Sequence, residues 1–183
     1  MKSVIRCMTA AIILAAFSVF GGVMIPLSVE ELSNKADIIV QGVVTNKVCL
    51  RDDAGRIYTR VDLQITEVIK GTNVGDTLSV IHGGGTIGDR RVEVSGQVEY
   101  ETGKEVVSFL VRNPKGQAIT VGLSQGKFGV WQDGNGEKFV HNPCHGSPPQ
   151  ALSAVAKQTV AVDSEPRRLK LADLKQQIRQ IRP

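Results

Sequence analysis

What most constrains this chain is a succession of short β-branched and aliphatic runs across residues 37–141. Each is closed by a glycine-, aspartate- or asparagine-containing turn, and no helical period intervenes. Arg56–Gly71, RIYTRVDLQITEVIKG, is the clearest run. Val61, Leu63 and Ile65 alternate with Arg60, Asp62, Gln64 and Thr66, which buries one face of a strand and wets the other. Asp37–Leu50 is a second strand, with Gly42 marking a bulge or bend. Thr77–His82 runs into the glycine loop Gly83–Gly85, and RRVEVSG alternates again. Gly103–Asn113, with Val107, Phe109 and Val111 on one face, has the composition of a central strand. AITVGLSQG and KFGVWQD are two more strands joined at Gln125–Gly126, and Asp133–Gly136 turns a further hairpin. Seven or eight short strands in series predict a mainly β domain, an antiparallel barrel or sandwich.

Helical signals occur at the two ends of this β region. Ser28 followed by Glu31 is a capping box, predicting a short N-terminal helix from Val29 to about Lys35 with Leu27 stapled on its first turn. In 164–183, Leu171, Leu174, Ile178 and Ile181 fall on one stripe, with Ser164 as cap and Pro166 in the first turn. Such a C-terminal amphipathic helix docks on the domain while Arg168, Lys175, Arg179 and Arg182 reach around the seam to water. The expected organisation is a β-barrel domain over 26–145, a connecting segment over 146–163 and the helix over 164–183.

Residues 1–22 read as a signal peptide. Lys2 and Arg6 precede the apolar Ala10–Phe20, and Gly21 and Gly22 provide the small residues of a cleavage site. A retained anchor is the competing reading, weakened by Ser18, the glycine pair and Pro26. The mature chain is therefore expected to be exported, periplasmic or secreted, with no stable membrane insertion after cleavage. Cys7 leaves with the leader, and in an oxidising compartment the remaining pair, Cys49 and Cys144, is expected to form a disulfide.

The net charge of +4 is unevenly placed, because residues 166–183 hold six basic residues against one acid. The rest of the chain is near neutral, and aromatics make up only 4% of the whole sequence. Both facts argue against a nucleic-acid partner, which needs a basic track and stacking rings.

The phrases SVEELSNKADIIVQGVV, VDLQITEVIKG, GKEVVSFLV, VGLSQGKFGVW and LADLKQQIR together resemble a family of uncharacterised exported bacterial proteins, over about residues 26–182. More distantly, ADIIVQGVV, ITEVIKG and GKEVVSFL are similar to the netrin-like module of the tissue inhibitors of metalloproteinases. That resemblance implies a small antiparallel barrel of oligonucleotide/oligosaccharide-binding (OB) type with a terminal helix packed on it. It also brings an extracellular protease into view as a partner. Those inhibitors chelate zinc through an N-terminal cysteine, and no cysteine stands near a mature N-terminus here. Only the shape carries over.

The residues with chemical potential are few. His141, Cys144 and His145 lie within HNPCHG, and with His82 they make a candidate metal set for a metal-binding protein or small metal-dependent hydrolase. Haem attachment is excluded, since His141 stands where C-x-x-C-H needs a cysteine. Gly83–Gly85 has neither the following helix nor the Lys-Ser/Thr pair of a phosphate loop, so the glycines are expected to serve backbone geometry. No nucleophile–base spacing, cofactor motif or complete ligand set is legible. The expectation is a non-enzymatic binding module without a cofactor, acting on a protein or cell-envelope partner through His82, Arg90, Arg91 and His145. A structural envelope component is the remaining alternative.

Overall fold

The computed structural model describes residues 25–146 and 168–181. The expected leader, all of the connecting segment after Gly146 and the cap expected at Ser164 lie outside the described residues. Helix α1 (Val29–Lys35) opens the fold with its capping box formed: the Ser28 hydroxyl accepts from Glu31 N–H, and the Glu31 carboxylate accepts from Ser28 N–H. Strands β1 (Ile38–Arg51), β2 (Ile57–Lys70) and β3 (Thr77–Gly83) follow as an antiparallel meander. A small separate hairpin, β4 (Gly85–Ile87) and β5 (Arg90–Val92), interrupts the series. Then come β6 (Glu105–Arg112), β7 (Ala118–Thr120), β8 (Lys127–Gln132), β9 (Lys138–His141), β10 (Leu169–Lys170) and α2 (Leu171–Gln180).

One eight-stranded sheet runs β1-β2-β3-β7-β6-β8-β9-β10, and β1 also pairs with β6. The architecture is mainly β, but the sheet curls without closing into a true barrel. The curl is held most weakly between β3 and β7, for a local reason. The far edge of β6 is shared, with Leu110–Arg112 pairing β7 and Val106–Ser108 pairing β8. Between β7 and β8 a 3-10 turn, Leu123–Gly126, redirects the chain, entered through left-handed Gly122 and Leu123. β7 then reaches β3 through only two residue pairs, Val80↔Ala118 and Ile81↔Ile119, while β8 leads away to β9 and β10.

Both faces of this sheet are covered. Ile38, Val40 and Val44 of β1, Val61 and Leu63 of β2, and Val106 and Leu110 of β6 fill the concave side with Val98 and Tyr100. The opposite side receives Ile39, Val107, Phe109 and Phe128 against Leu32 of α1 and Leu171, Leu174 and Ile178 of α2. Period-two alternation in β1 and β6 thus supplies two cores rather than one wet face and one dry. Gly42 is the expected bulge. The β1–β2 register slips beside it, and a Cβ there would stand 2.6 Å from the Gln64 carbonyl oxygen.

Two expectations need correction. The alternation of RRVEVSG continues as a strand only to Val92; the chain from 93 to 104 is irregular, held by buried Val98 and Tyr100. The Tyr100 hydroxyl bonds Ser108 Oγ (3.2 Å) and Thr120 Oγ1 (2.9 Å), and burial pushes its phenol above the ordinary tyrosine range. The C-terminal helix begins at Leu171 rather than near Ser164, because Leu169 and Lys170 first pair with Val140 and Phe139 of β9. Among the described residues no helix is long and apolar enough to cross a membrane.

Candidate functional site

The site forms where β1, β2 and β3 end together. Register places Cys49 opposite Thr59 and Thr59 opposite His82, so three side chains share one face in one row. The β4–β5 hairpin lies across that row. Gly84 (φ +79°) and Gly85 (φ +137°) take conformations open to glycine, and a Cβ on Gly85 would stand 2.7 Å from both Cys49 Sγ and Thr59 Oγ1. Gly84 N–H donates to Ile57 O (3.1 Å), and the Thr59 hydroxyl donates to Gly84 O (2.8 Å). The glycine loop therefore brings backbone flush against side chains, as its lack of a phosphate-loop context implied.

Chemistry along the row is modest. The Thr59 hydroxyl, 3.5 Å from Cys49 Sγ, holds the thiol below the ordinary cysteine range, helped by Thr86 N–H and Lys47. Thr59 carries one hydroxyl proton, for which Gly84 O and the Cys49 sulfur are alternative acceptors. His82 Nδ1 donates to Gly83 O (2.9 Å), which leaves the neutral ring's Nε2 as an acceptor, buried and without a partner. Burial, with Lys47 in support, lowers its basicity below that of an ordinary histidine. Thr59 stands between thiol and imidazole, so Cys49 and His82 are not a hydrogen-bonded nucleophile–base pair.

Two clefts of about 730 Å³ each flank the hairpin. The first is lined by Lys47, Cys49, His82, Arg91, Glu93 and Glu99, among others. The second is lined by the Arg51–Arg56 turn, Tyr58, Ile81, Arg90, Val94 and the Asn113–Gln117 turn. His82, Arg90 and Arg91 of the expected partner loops thus come together at one end of the sheet, on two sides of one hairpin.

His145 does not join them. HNPCHG is a clamp for the start of the domain. The Asn142 carboxamide oxygen accepts from the N–H groups of Cys144 (2.8 Å) and His145 (2.7 Å), and its Nδ2 donates to Gln125 O. His145 stacks on Phe128 and donates through Nε2 to Leu27 O (2.8 Å); Gln125 takes Leu27 N–H (2.7 Å) and gives to Ile25 O (3.2 Å). The loop that looks most chemical in the sequence is occupied by structural hydrogen bonds.

That arrangement corrects both cysteine and metal expectations. Cys49 and Cys144 are free thiols, the first against Thr59 and the second 3.4 Å from Gln125 Oε1, so no disulfide joins them. His82, His141, Cys144 and His145 form no ligand cluster, and no other group of three His, Cys, Asp or Glu side chains able to hold a metal occurs among the described residues. His141 lines a separate cleft of about 590 Å³ with Lys127, and burial followed by Lys127 lowers its basicity.

Sequence reasoning missed Arg51, Tyr58, Val94 and Lys115. They lie far apart in the chain, and only the meeting of three turns makes them neighbours. No family model and no curated protein matches the chain.

Proposed function

We propose that this chain is an exported, non-enzymatic binding module of OB or netrin-like type. It engages a protein or cell-envelope partner through the sheet end crowned by the β4–β5 hairpin, an extracellular protease being the more specific form of that partner. The observation that carries the reading is the hairpin itself, fixed by two backbone-directed hydrogen bonds between two clefts, with Val94 exposed beside it. Val94 lines the second cleft together with Tyr58, Ile81 and Val92, and a concave site with apolar walls and a few placed polar groups is the common form of a recognition site.

Two further observations support it. β1 pairs with both β2 and β6, and β3 meets β7 in parallel, a strand order compatible with a partly open five-stranded OB-type barrel. Folds of that type bind through the strand 2–3 face and the loops after strands 1 and 4, the positions here of the Arg51–Arg56 and Asn113–Gln117 turns. Cys49, whose thiol is held below the ordinary cysteine range, is turned to a threonine rather than to a base.

The test is a photo-crosslinker placed at Val94 in the native host, with a second placed at exposed Val68 on β2 as control. One defined partner captured from Val94 and not from Val68 supports the reading. Equal capture from both positions, or none from Val94, ends it.

A further inference from the structure

The two clefts beside the hairpin differ in charge, and the difference points to what one of them binds. In the first cleft, Lys47 and Arg91 are matched by Glu93 and Glu99, and Arg91 is already paired with Glu93 at 2.5 Å. In the second, Arg51, Arg56, Arg90 and Lys115 face only Asp52 and Asp53. Asp52 is spent on Arg56, whose Nη2 lies 2.7 Å away, and the Asp52 carboxylate also accepts from Ala54 and Arg56 N–H. Arg51, Arg90 and Lys115 have no ion-pair partner among the described residues, leaving Asp53 as the single uncommitted carboxylate. The three cations come from the β1–β2 turn, the hairpin and the β6–β7 turn, so they surround the cleft rather than line one strand.

The cleft is not purely polar. Ile57, Tyr58, Ile81, Val92 and Val94 contribute an apolar floor, and Val94 is 42% exposed. Tyr58 is the only aromatic ring there, too few for a stacking platform that would take bases. We propose that this second cleft takes an extended acidic segment of the protein partner, its carboxylates between Arg51, Arg90 and Lys115 and one apolar side chain seated against Tyr58 and Val94. The proposal rests on the binding reading above and assigns its chemistry. Rim charges of this kind act mainly on encounter rate and specificity, and their effect falls as salt shortens the screening length.

The experiment uses the full mature chain and a short labelled peptide of glutamates and serines with one central phenylalanine, read by fluorescence anisotropy. Binding is expected, weakening several-fold between about 50 and 300 mM salt. It should fall by about tenfold or more in the combined Arg51→Glu, Arg90→Glu, Lys115→Glu variant and stay unchanged in Lys47→Glu on the other flank. The proposal is overturned by absence of peptide binding, by equal loss in Lys47→Glu, or by tighter binding of oligothymidylate or dextran sulfate than of the peptide. Repeating the Val94 crosslink in the triple variant separates the two readings. Capture that persists sinks the acidic segment and leaves the module standing; capture that is lost supports both.

Discussion

Cys49 shows how a neighbour's single proton sets a side chain's reactivity. Its thiol is held low first by the Thr59 hydroxyl, then by Thr86 N–H and Lys47. A depressed thiol pKa means more thiolate at a given pH, and the thiolate is the nucleophile. Alkylation of Cys49 with a maleimide should therefore rise with pH to a plateau whose midpoint lies below that of cysteine in a flexible peptide, about 8.5. Thr59→Val should move that midpoint upward, and Thr59→Ser should leave it in place. Mass spectrometry of the unreduced protein checks the starting point, since both Cys49 and Cys144 should take label. Recovery of a linked 49–144 peptide would contradict the free thiols. Residue types alone do not separate these outcomes: two cysteines in a chain expected to be exported favour a bond, and only the positions of Thr59 and Gln125 show each sulfur committed elsewhere.

Among the elements, the β4–β5 hairpin depends most on its surroundings, because two three-residue strands are not stable alone. It persists through Gly84 and Gly85, which let its backbone press on Ile57, Cys49 and Thr59. Gly85→Ala puts a Cβ 2.7 Å from two side-chain atoms at a φ that L-residues avoid, so a cost of about 1–3 kcal/mol is expected. Denaturant unfolding measures that loss, and faster alkylation of Cys49 in the same variant reports a lifted hairpin. Strands β1, β2, β3 and β6 were legible in advance because alternation of side chains is a local property of extended backbone. Of the hairpin only the second strand was legible, in the alternation that opens RRVEVSG; the first was not, since GGGTIGD offers glycine where a strand signal needs β-branched pairs. Residues 93–104 misled for the complementary reason. Alternation shows which side chains share a side, not whether the segment has a partner strand, and here Val98 and Tyr100 plug the concave core without one.

At the scale of the molecule, the site depends on a core formed on the opposite face of the sheet. β1 and β6 are buried on both sides, so the concave core and the helix-covered core share the same two strands. Helix α2 closes the second face with Leu171, Leu174 and Ile178, while Lys175 and Arg179 reach Glu67 on β2 at 2.5 and 2.7 Å. The two kinds of contact differ in weight. Partly exposed ion pairs are worth about 0–1 kcal/mol each, whereas truncating a fully buried leucine costs about 2–5 kcal/mol. Leu174, with no exposed surface, should therefore dominate the docking of α2. In urea unfolding Leu174→Ala is expected to lower stability by about 2–5 kcal/mol, and Arg179→Ala by about 1 kcal/mol or less. If the sheet unfolds as one cooperative unit, the Leu174→Ala loss appears equally in the fluorescence of Trp131 on β8 and in the protection of Val61 and Leu63 amides on β2 against exchange. A loss confined to Trp131 would mean that β8, β9 and α2 open separately, leaving the curled half and its clefts intact.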